Sequence, residues 1–407
     1  MTPGSTGRIL HVFPYDPRHI GLNSRDWAVS QAARWPLAAV TRSRSVAQTS
    51  VHAIARRGWA MKHAGLDFHF HRALTSGPPF REWGDDWSFG LERELKGLGP
   101  TDICVIHLNA YAAARLAQRA ANGTRVVVVQ HGEGTGPWGP HPAGALQIVV
   151  IRDEAFAEMT ALGAAQGQVR LVTPSIDRQV FRPRPDDRRA GGASPGSELL
   201  VGYVGRIDRG KGAMRIPPIV KHARAAGLPV VAEFVGPNLT PQRQEFENLV
   251  DELGVRAWVR LLGSQPPEVV AERMAAWTLL AMPSRSEGLS IVTLESLAAG
   301  LPVLALEGVL SDALVRQPGV VVASADDYPR EAIEMLRRPP VVGAVEWIPD
   351  HTEGGVTWDE ILYGLGPWKP SPRSDRATWG RFTRNRPLRT MAMPIVQGFR
   401  RISGRRR

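Results

Sequence analysis

Residues Ser284–Val303, SRSEGLSIVTLESLAAGLPV, set two carboxylates, Glu287 and Glu295, eight positions apart among residues that are otherwise mostly apolar or small. The run TLLAM before them reads as a strand ending at Pro283. The loop SRSEG then leads into a helix expected from about Leu289 to Ala299. Ser290 or Ser286 is the candidate cap at its start, and Gly300 and Pro302 end it. Glu287 thus falls at a helix mouth, where the N–H groups of Gly288 and Leu289 are free to meet an anion. Glu295 falls deeper, where an unpaired carboxylate is costly. Two readings stay open at this point. A ligand presenting two adjacent hydroxyls satisfies Glu295; alternatively Glu287 is favoured by the helix dipole and Glu295 is salt-bridged.

The same strand, Gly- or Ser-rich turn and helix recur on both sides of this stretch. RILHVFPY, GLDFHFH, DICVIHL, RVVVVQHG and LQIVVI read as strands, with a helix capped by Ser24 in SRDWAVSQAARWPLAAV and another in AYAAARLAQRAAN. Strands alternating with helices argue for βαβ units in a parallel sheet. RPRPDDRRAGGASPGSE (182–198) breaks the pattern and marks a linker or domain edge. The alternation restarts with LLVGYVGRID, VVAEFVG, VRLLG, WTLLAMPS and LPVLAL. The expected fold class is α/β: two doubly wound, Rossmann-like halves, with ligands at the carboxyl ends of the strands and in the cleft between halves.

The 407 residues exceed one ordinary core. With 43% hydrophobic and 22% charged residues the chain reads as globular and soluble. No apolar run approaches the roughly 18 residues of a membrane span. MTPGSTGRILHVF lacks the order of a signal peptide. The single cysteine, Cys104, lies in a strand-like run and fits a core role in a reducing cytosol. Residues 371–407 hold eleven arginines against Asp375 alone, which accounts for nearly all of the formal +11. Only five of the 50 basic residues are lysines, a bias that fits a high-GC bacterial genome and makes Lys211 worth inspecting.

In VGYVGRIDRGKG, the strand Leu199–Val204 runs into a glycine turn with Arg206 and Lys211 five positions apart. Gly205 lets the backbone approach a ligand. Two cations at a strand end suit a diphosphate, arginine as fork and lysine as point charge; a solvated turn is the plainer alternative.

Together these pieces make residues 199–322 resemble the nucleotide-binding half of glycosyltransferase family 4, retaining enzymes of GT-B fold that use sugar nucleotides. GYVGRIDRGKG, EFVGP (233–237), VRLLGSQ (259–265) and PSRSEGLSIVTLESLAAGLPVLA carry the resemblance, in the family's order. VTPSIDRQVFRP resembles its inter-domain segment, and VTWDEI (356–361) the start of a terminal helix that crosses back to the first domain. The resemblance implies donor pyrophosphate held by Arg206 and Lys211, ribose hydroxyls by Glu295, and hydroxyls of the transferred sugar by Glu287 with the amides of Gly288 and Leu289. It places Gly236 beside the nucleotide, Gly21 over the phosphates, and His131 of VVVVQHGEG at the donor sugar or the acceptor. IGLN keeps only part of the family's N-terminal glycine pair, PSID replaces its PNGVD, and Asp312 stands where a glutamate is common.

The expected organisation is an acceptor-side domain over 1–173, a hinge over 174–198, a donor domain over 199–350, a crossover helix region over 351–370 and a basic tail over 371–407. The implied activity is transfer of a sugar from a nucleoside diphosphate to an unidentified small-molecule, glycan or lipid-linked acceptor, with retention and in the cytoplasm. An epimerase or hydrolase on the same fold, or a non-catalytic sugar-nucleotide binder, is the alternative. No cofactor is expected. The DD pairs at 85–86, 186–187 and 326–327 are not D-x-D, and His69 and His71, alternating on a strand, lack the further ligands of a zinc site. Catalysis without a metal follows. The tail mixes Trp379, Phe382, Met391, Met393, Ile395 and Phe399 with arginine, a composition that fits contact with an anionic membrane, a fold-back on the first domain, or a solvated end. No recognition fold for nucleic acid accompanies the charge.

Overall fold

The computed structural model describes residues 7–20, 22–73, 88–107, 124–131, 145–161, 167–183, 198–237, 242–285, 287 and 289–364. Gly21, Gly288, the helix expected around 110–122, most of the 182–198 break and the 371–407 tail lie outside them.

The first half is an eight-stranded sheet. Its strands are β1 (Ile9–Phe13), β2 (Thr49–Ala55), β3 (Trp59–His63), β4 (Leu66–Arg72), β5 (Ile103–His107), β6 (Arg125–Gln130), β7 (Ala145–Val150) and β8 (Val169–Leu171). They lie in the order β3-β4-β2-β1-β5-β6-β7-β8. All pairings are parallel except β3 with β4, an antiparallel edge that an alternating strand–helix reading does not anticipate. Its described helices are α1 (Ser24–Ala32), α2 (Leu37–Val40), α3 (Phe89–Lys96) and α4 (Asp153–Ala161). Asn23, not Ser24, caps α1: its side chain accepts from the Asp26 N–H at 2.9 Å. The amide oxygen one position earlier accepts from the free donor, and Ser24 becomes the first helical residue.

The second half is wholly parallel, β11-β10-β9-β12-β13-β14. Its strands are β9 (Leu199–Val204), β10 (Val230–Val235), β11 (Val259–Gly263), β12 (Leu279–Met282), β13 (Val303–Leu306) and β14 (Val320–Ala323). Covered on both faces, the central strands are near-continuous apolar runs; β10, β12 and β13 are buried along their length. The helices are α5 (Ile216–Ala225), α6 (Arg243–Glu252), α7 (Pro267–Ala276), α8 (Ile291–Ala298), α9 (Asp312–Val315) and α10 (Tyr328–Arg337). Consecutive connections step outward in both directions from the β9/β12 pair, which leaves a crevice beyond the carboxyl ends of those two strands.

The last described helix, α11 (His351–Tyr363), returns to the first half. A reciprocal cap of Asp350 and Glu353 starts it, so VTWDEI is its middle and not its beginning. Trp358 and Ile361 join the first domain's core. Asp359 accepts from the Arg44 N–H at 3.0 Å, and Ser175 Oγ meets His351 Nδ1 at 3.0 Å. The fold is therefore GT-B: two Rossmann-like domains about a cleft, with a terminal crossover. Among the described residues no helix is long and apolar enough to cross a membrane.

Close approach of α11 to the α2 segment depends on Gly355. A Cβ there would stand 2.8 Å from the Arg42 carbonyl carbon and 3.0 Å from the Ala39 oxygen, both backbone. In an unobstructed helix Gly→Ala gains about 1 kcal/mol; here Gly355→Ala is expected to destabilise by about 1–3 kcal/mol, as overpacking does. Urea denaturation checks the sign, and a stabilised variant would mean that α11 does not pack on this segment.

Candidate functional site

The β9 turn and the loop after β12 meet because Gly212 adopts the left-handed region at φ 71° and carries no side chain. A Cβ at Gly212 would lie 1.8 Å from the Pro283 carbonyl oxygen. With that contact allowed, Arg285 N–H donates to the Gly210 oxygen at 2.9 Å. Lys211 is carried to the β12 loop, where its Nζ lies 2.8 and 2.7 Å from the two Glu287 oxygens. Ser284 donates to Glu287 Oε1 at 2.5 Å. Arg206 joins the group through Asp208, whose carboxylate accepts from Arg206 Nε and from the Lys211 N–H, each at 2.7 Å.

Arg206, Lys211 and Glu287 are thus one cluster at the carboxyl ends of β9 and β12, each charge already paired. Asp208 and Glu287 balance the two cations. Capacity remains on both. An ammonium has three donors, of which Glu287 takes two, and the Nη atoms of Arg206 have no partner among the described residues. Gly205 and Gly236 touch: a Cβ on Gly236 would stand 2.0 Å from the Gly205 oxygen. Packing of the two turns therefore needs this glycine before any ligand does.

Helix α8 begins at Ile291, two residues later than expected, with Ser290 as its cap. Leu289 is half-buried and packs against both domain cores. Glu295 is 8% exposed. It lines a cavity of about 360 Å³ between the two halves, together with Arg34, Trp35, Ser175, Glu268 and Ile291. Its carboxylate has no hydrogen-bond partner among the described residues. Burial pushes its pKa up to about 7, against the opposing pull of the Arg34 guanidinium. Glu233, fully buried on β10, is the contrast. Burial opposes its charge too, but hydrogen bonds from Arg273 and from Trp277 Nε1 (2.9 Å) outweigh it and hold the carboxyl below its usual range. One buried carboxylate is consumed by the fold; the other faces an opening.

Arg206, Lys211, Glu287 and His131 do not line that cavity. His131 follows β6, half-buried, and its ring meets Trp35 of the cavity wall edge-on at 5.4 Å. Two first-domain residues reach across the cleft. Arg152 donates to the Glu287 backbone oxygen at 3.0 Å, and Glu154 accepts from the Asp312 N–H at 3.3 Å. Sequence reasoning missed Asp208, Gly212, Trp35, Arg34 and Arg152. Asp208 and Gly212 had a signal, since they punctuate the RIDRGKG turn; the others had none, being distant in the chain. His69 and His71 do share a face, both stacked on His52, and no group suited to a metal ion is found among the described residues.

A raised folded pKa means that the native protein holds the Glu295 proton more tightly than the unfolded chain does. Its stabilising contribution is then full below about pH 4.5 and lost as pH rises through about 7. Glu295→Gln is expected to gain stability on wild type across that window by up to roughly 3 kcal/mol, at about 1.4 kcal/mol per pKa unit. Thermal unfolding from pH 4 to 8 measures it, and a difference flat with pH would contradict the raised carboxyl.

Residues 185–326 match the model of the family Glycosyl transferases group 1. The chain is 36% identical over 207 residues to D-inositol 3-phosphate glycosyltransferase of Mycolicibacterium paratuberculosis, covering 48% of this chain and 45% of that protein. It is 38% identical over 165 residues to the protein of that name from Mycobacterium tuberculosis H37Ra, covering 39% and 33%. The match therefore spans less than half the length of these relatives. Among solved structures, Anabaena Alr3699/HepE in complex with UDP and glucose is similar at TM-score 0.64 and 16% identity, over 88% of this chain and 100% of that one. Sucrose-phosphate synthase from Thermosynechococcus elongatus is similar at 0.57 and 16%, over 93% and 98%. Residues 185–326 are thus similar to the glycosyl transferases group 1 family, within a chain of GT-B fold.

Proposed function

We propose that the protein is a glycosyltransferase that moves a sugar from a nucleoside diphosphate to an acceptor, as a retaining member of family 4. The observation that carries this reading is the Arg206–Asp208–Lys211–Glu287 cluster at the sheet's switch point, whose Glu287 lies on the same strand–loop–helix connection as Glu295 and its cavity. The solved relative holding UDP and glucose supports the donor class, and the inositol-phosphate enzymes support the reaction class.

The roles follow from the chemistry of each group. Arg206 and the third N–H of Lys211 hold the diphosphate and take up charge as it leaves. Both are cations placed where metal-dependent transferases use a divalent ion, so turnover without a metal is proposed. Glu295 accepts from adjacent ribose hydroxyls in the cavity. Glu287 grips the transferred sugar while keeping Lys211 in place, and His131 meets the sugar or the acceptor. Gly205 and Gly236 border the nucleotide; Gly21 and Gly288, outside the described residues, are proposed to lie over the phosphates and beside the sugar. With retention, the departing diphosphate helps remove the acceptor's proton on the same face.

Thermal-shift measurement across nucleoside diphosphates and their sugars tests the donor, since each true ligand raises Tm by mass action; no shift with any of them would refute the reading. With the donor known, Lys211→Ala is expected to lower kcat/KM at least ~100-fold, comparable to losing one oxyanion donor. Near wild-type turnover would remove Lys211 from the mechanism. Complete consumption of donor without acceptor would instead identify a hydrolase or epimerase.

A small-molecule, glycan or lipid-linked acceptor is proposed, and the 371–407 tail is proposed as a contact with anionic membrane, on its eleven arginines and interspersed apolar residues. Deleting it is expected to abolish co-sedimentation with anionic liposomes while leaving Tm unchanged. Equal co-sedimentation would dispose of the membrane contact.

A further inference from the structure

Three histidines on adjacent first-domain strands form a hydrogen-bonded row. His11 lies on β1, His107 ends β5 and His131 follows β6. In the parallel registers His11 faces Val105 and His107 faces Val129. Each histidine therefore stands two residues beyond its neighbour's partner, and since side chains alternate along a strand, all three share one face. His11 Nδ1 is 2.8 Å from His107 Nε2, and His107 Nδ1 is 3.0 Å from His131 Nε2. Phe13 stacks flat on His107 with ring centroids 4.3 Å apart.

Proton counting constrains the row. A neutral imidazole has one N–H and one lone pair, and each contact needs one of each. Either all three rings carry the proton on Nδ1 or all three carry it on Nε2. Charged forms are disfavoured because burial lowers the pKa of His11 to about 3 and of His131 to about 4, and that of His107 well below its ordinary value.

The ends of the row break the tie. His11 is fully buried and its Nε2 has no partner among the described residues. Trp358 of α11 stands edge-on to it, centroids 5.7 Å apart, and the indole N–H of Trp358 is likewise buried and without a partner among the described residues. Protons on Nε2 would bury a second orphan N–H beside the first. Protons on Nδ1 leave a lone pair there, which complements the Trp358 donor, and unpaired buried N–H groups are the rarer and costlier defect.

We propose that this row locks His131 in the Nδ1–H tautomer, so that its open ring nitrogen is a hydrogen-bond donor and not a base. His107 is then a positioning residue, and His11 with Trp358 sets the polarity. The lock stands without any substrate. Its consequence rests on the function proposed above: His131 donates to an oxygen of the sugar or acceptor and leaves removal of the acceptor's proton to another group.

Long-range ¹H–¹⁵N correlation spectra of the full chain with ¹⁵N-histidine read the tautomer directly, His131 being assigned by its loss in His131→Gln. The expected result at neutral pH is a protonated Nδ1 and a bare Nε2. The opposite pattern overturns the proposal. In His107→Phe, which keeps a flat ring against Phe13, His131 is expected to relax toward the Nε2–H form that free imidazole favours in water. Persistence of Nδ1–H there would remove His107 from the role. Should that variant fail to fold, the wild-type spectrum alone decides the lock. No substrate enters these spectra, so a failure here is separable from a failure of the thermal-shift test of the donor.

Discussion

Strands β9 and β12 are neighbours whose connections leave in opposite directions, and the Lys211–Glu287 pair spans the gap that this opens. The rest of the site is arranged around that bridge. It requires Gly212 to lie flat on the Pro283 carbonyl, and it fixes the loop from which α8 departs. A pair whose side chains are 32% and 14% exposed adds little net stability, because lost hydration offsets much of the attraction. Its value is geometric. The ammonium is held with one donor to spare, and the carboxylate is fixed in place beside a cleft.

That cleft is also wired from the other side. Arg152 holds the backbone of Glu287 itself, so the residue that positions Lys211 is gripped by the first domain. Glu154 does the same for the start of α9. Helix α11 closes the loop between the halves by placing Trp358 in the first domain's core while its cap, Asp350, accepts from the Arg178 N–H. Movement of one domain against the other would therefore alter the Lys211–Glu287 cluster directly, and would change the cavity that holds Glu295 at the same time.

Much of the fold was legible because parallel sheets buried on both faces need uninterrupted apolar runs, and those runs are plain from RVVVVQ to LPVLAL. The antiparallel β3 edge was not, since WAMKH is neither apolar nor alternating in a way that announces a strand. The start of α11 was misplaced because its signal is a reciprocal cap in PDHTE, which lies upstream of the apolar residues that drew the eye. Of the site, the two cations and two glutamates were legible from residue type and spacing. Their partners were not: Asp208 is local, but Trp35, Arg34 and Arg152 reach the cleft only through long-range contacts.

By itself the sequence determined the alternation of strands and helices, the presence of Arg206, Lys211 and Glu287 in turns after strands, and that of Glu295 in the helix that follows, because each of these depends on local burial and turn chemistry. Only the tertiary structure decided how the charges pair, which buried carboxylate stays open, and that three histidines far apart in the chain share one hydrogen-bonded row. Those outcomes depend on sheet order and register, and such distances are set by packing between segments that no local pattern relates.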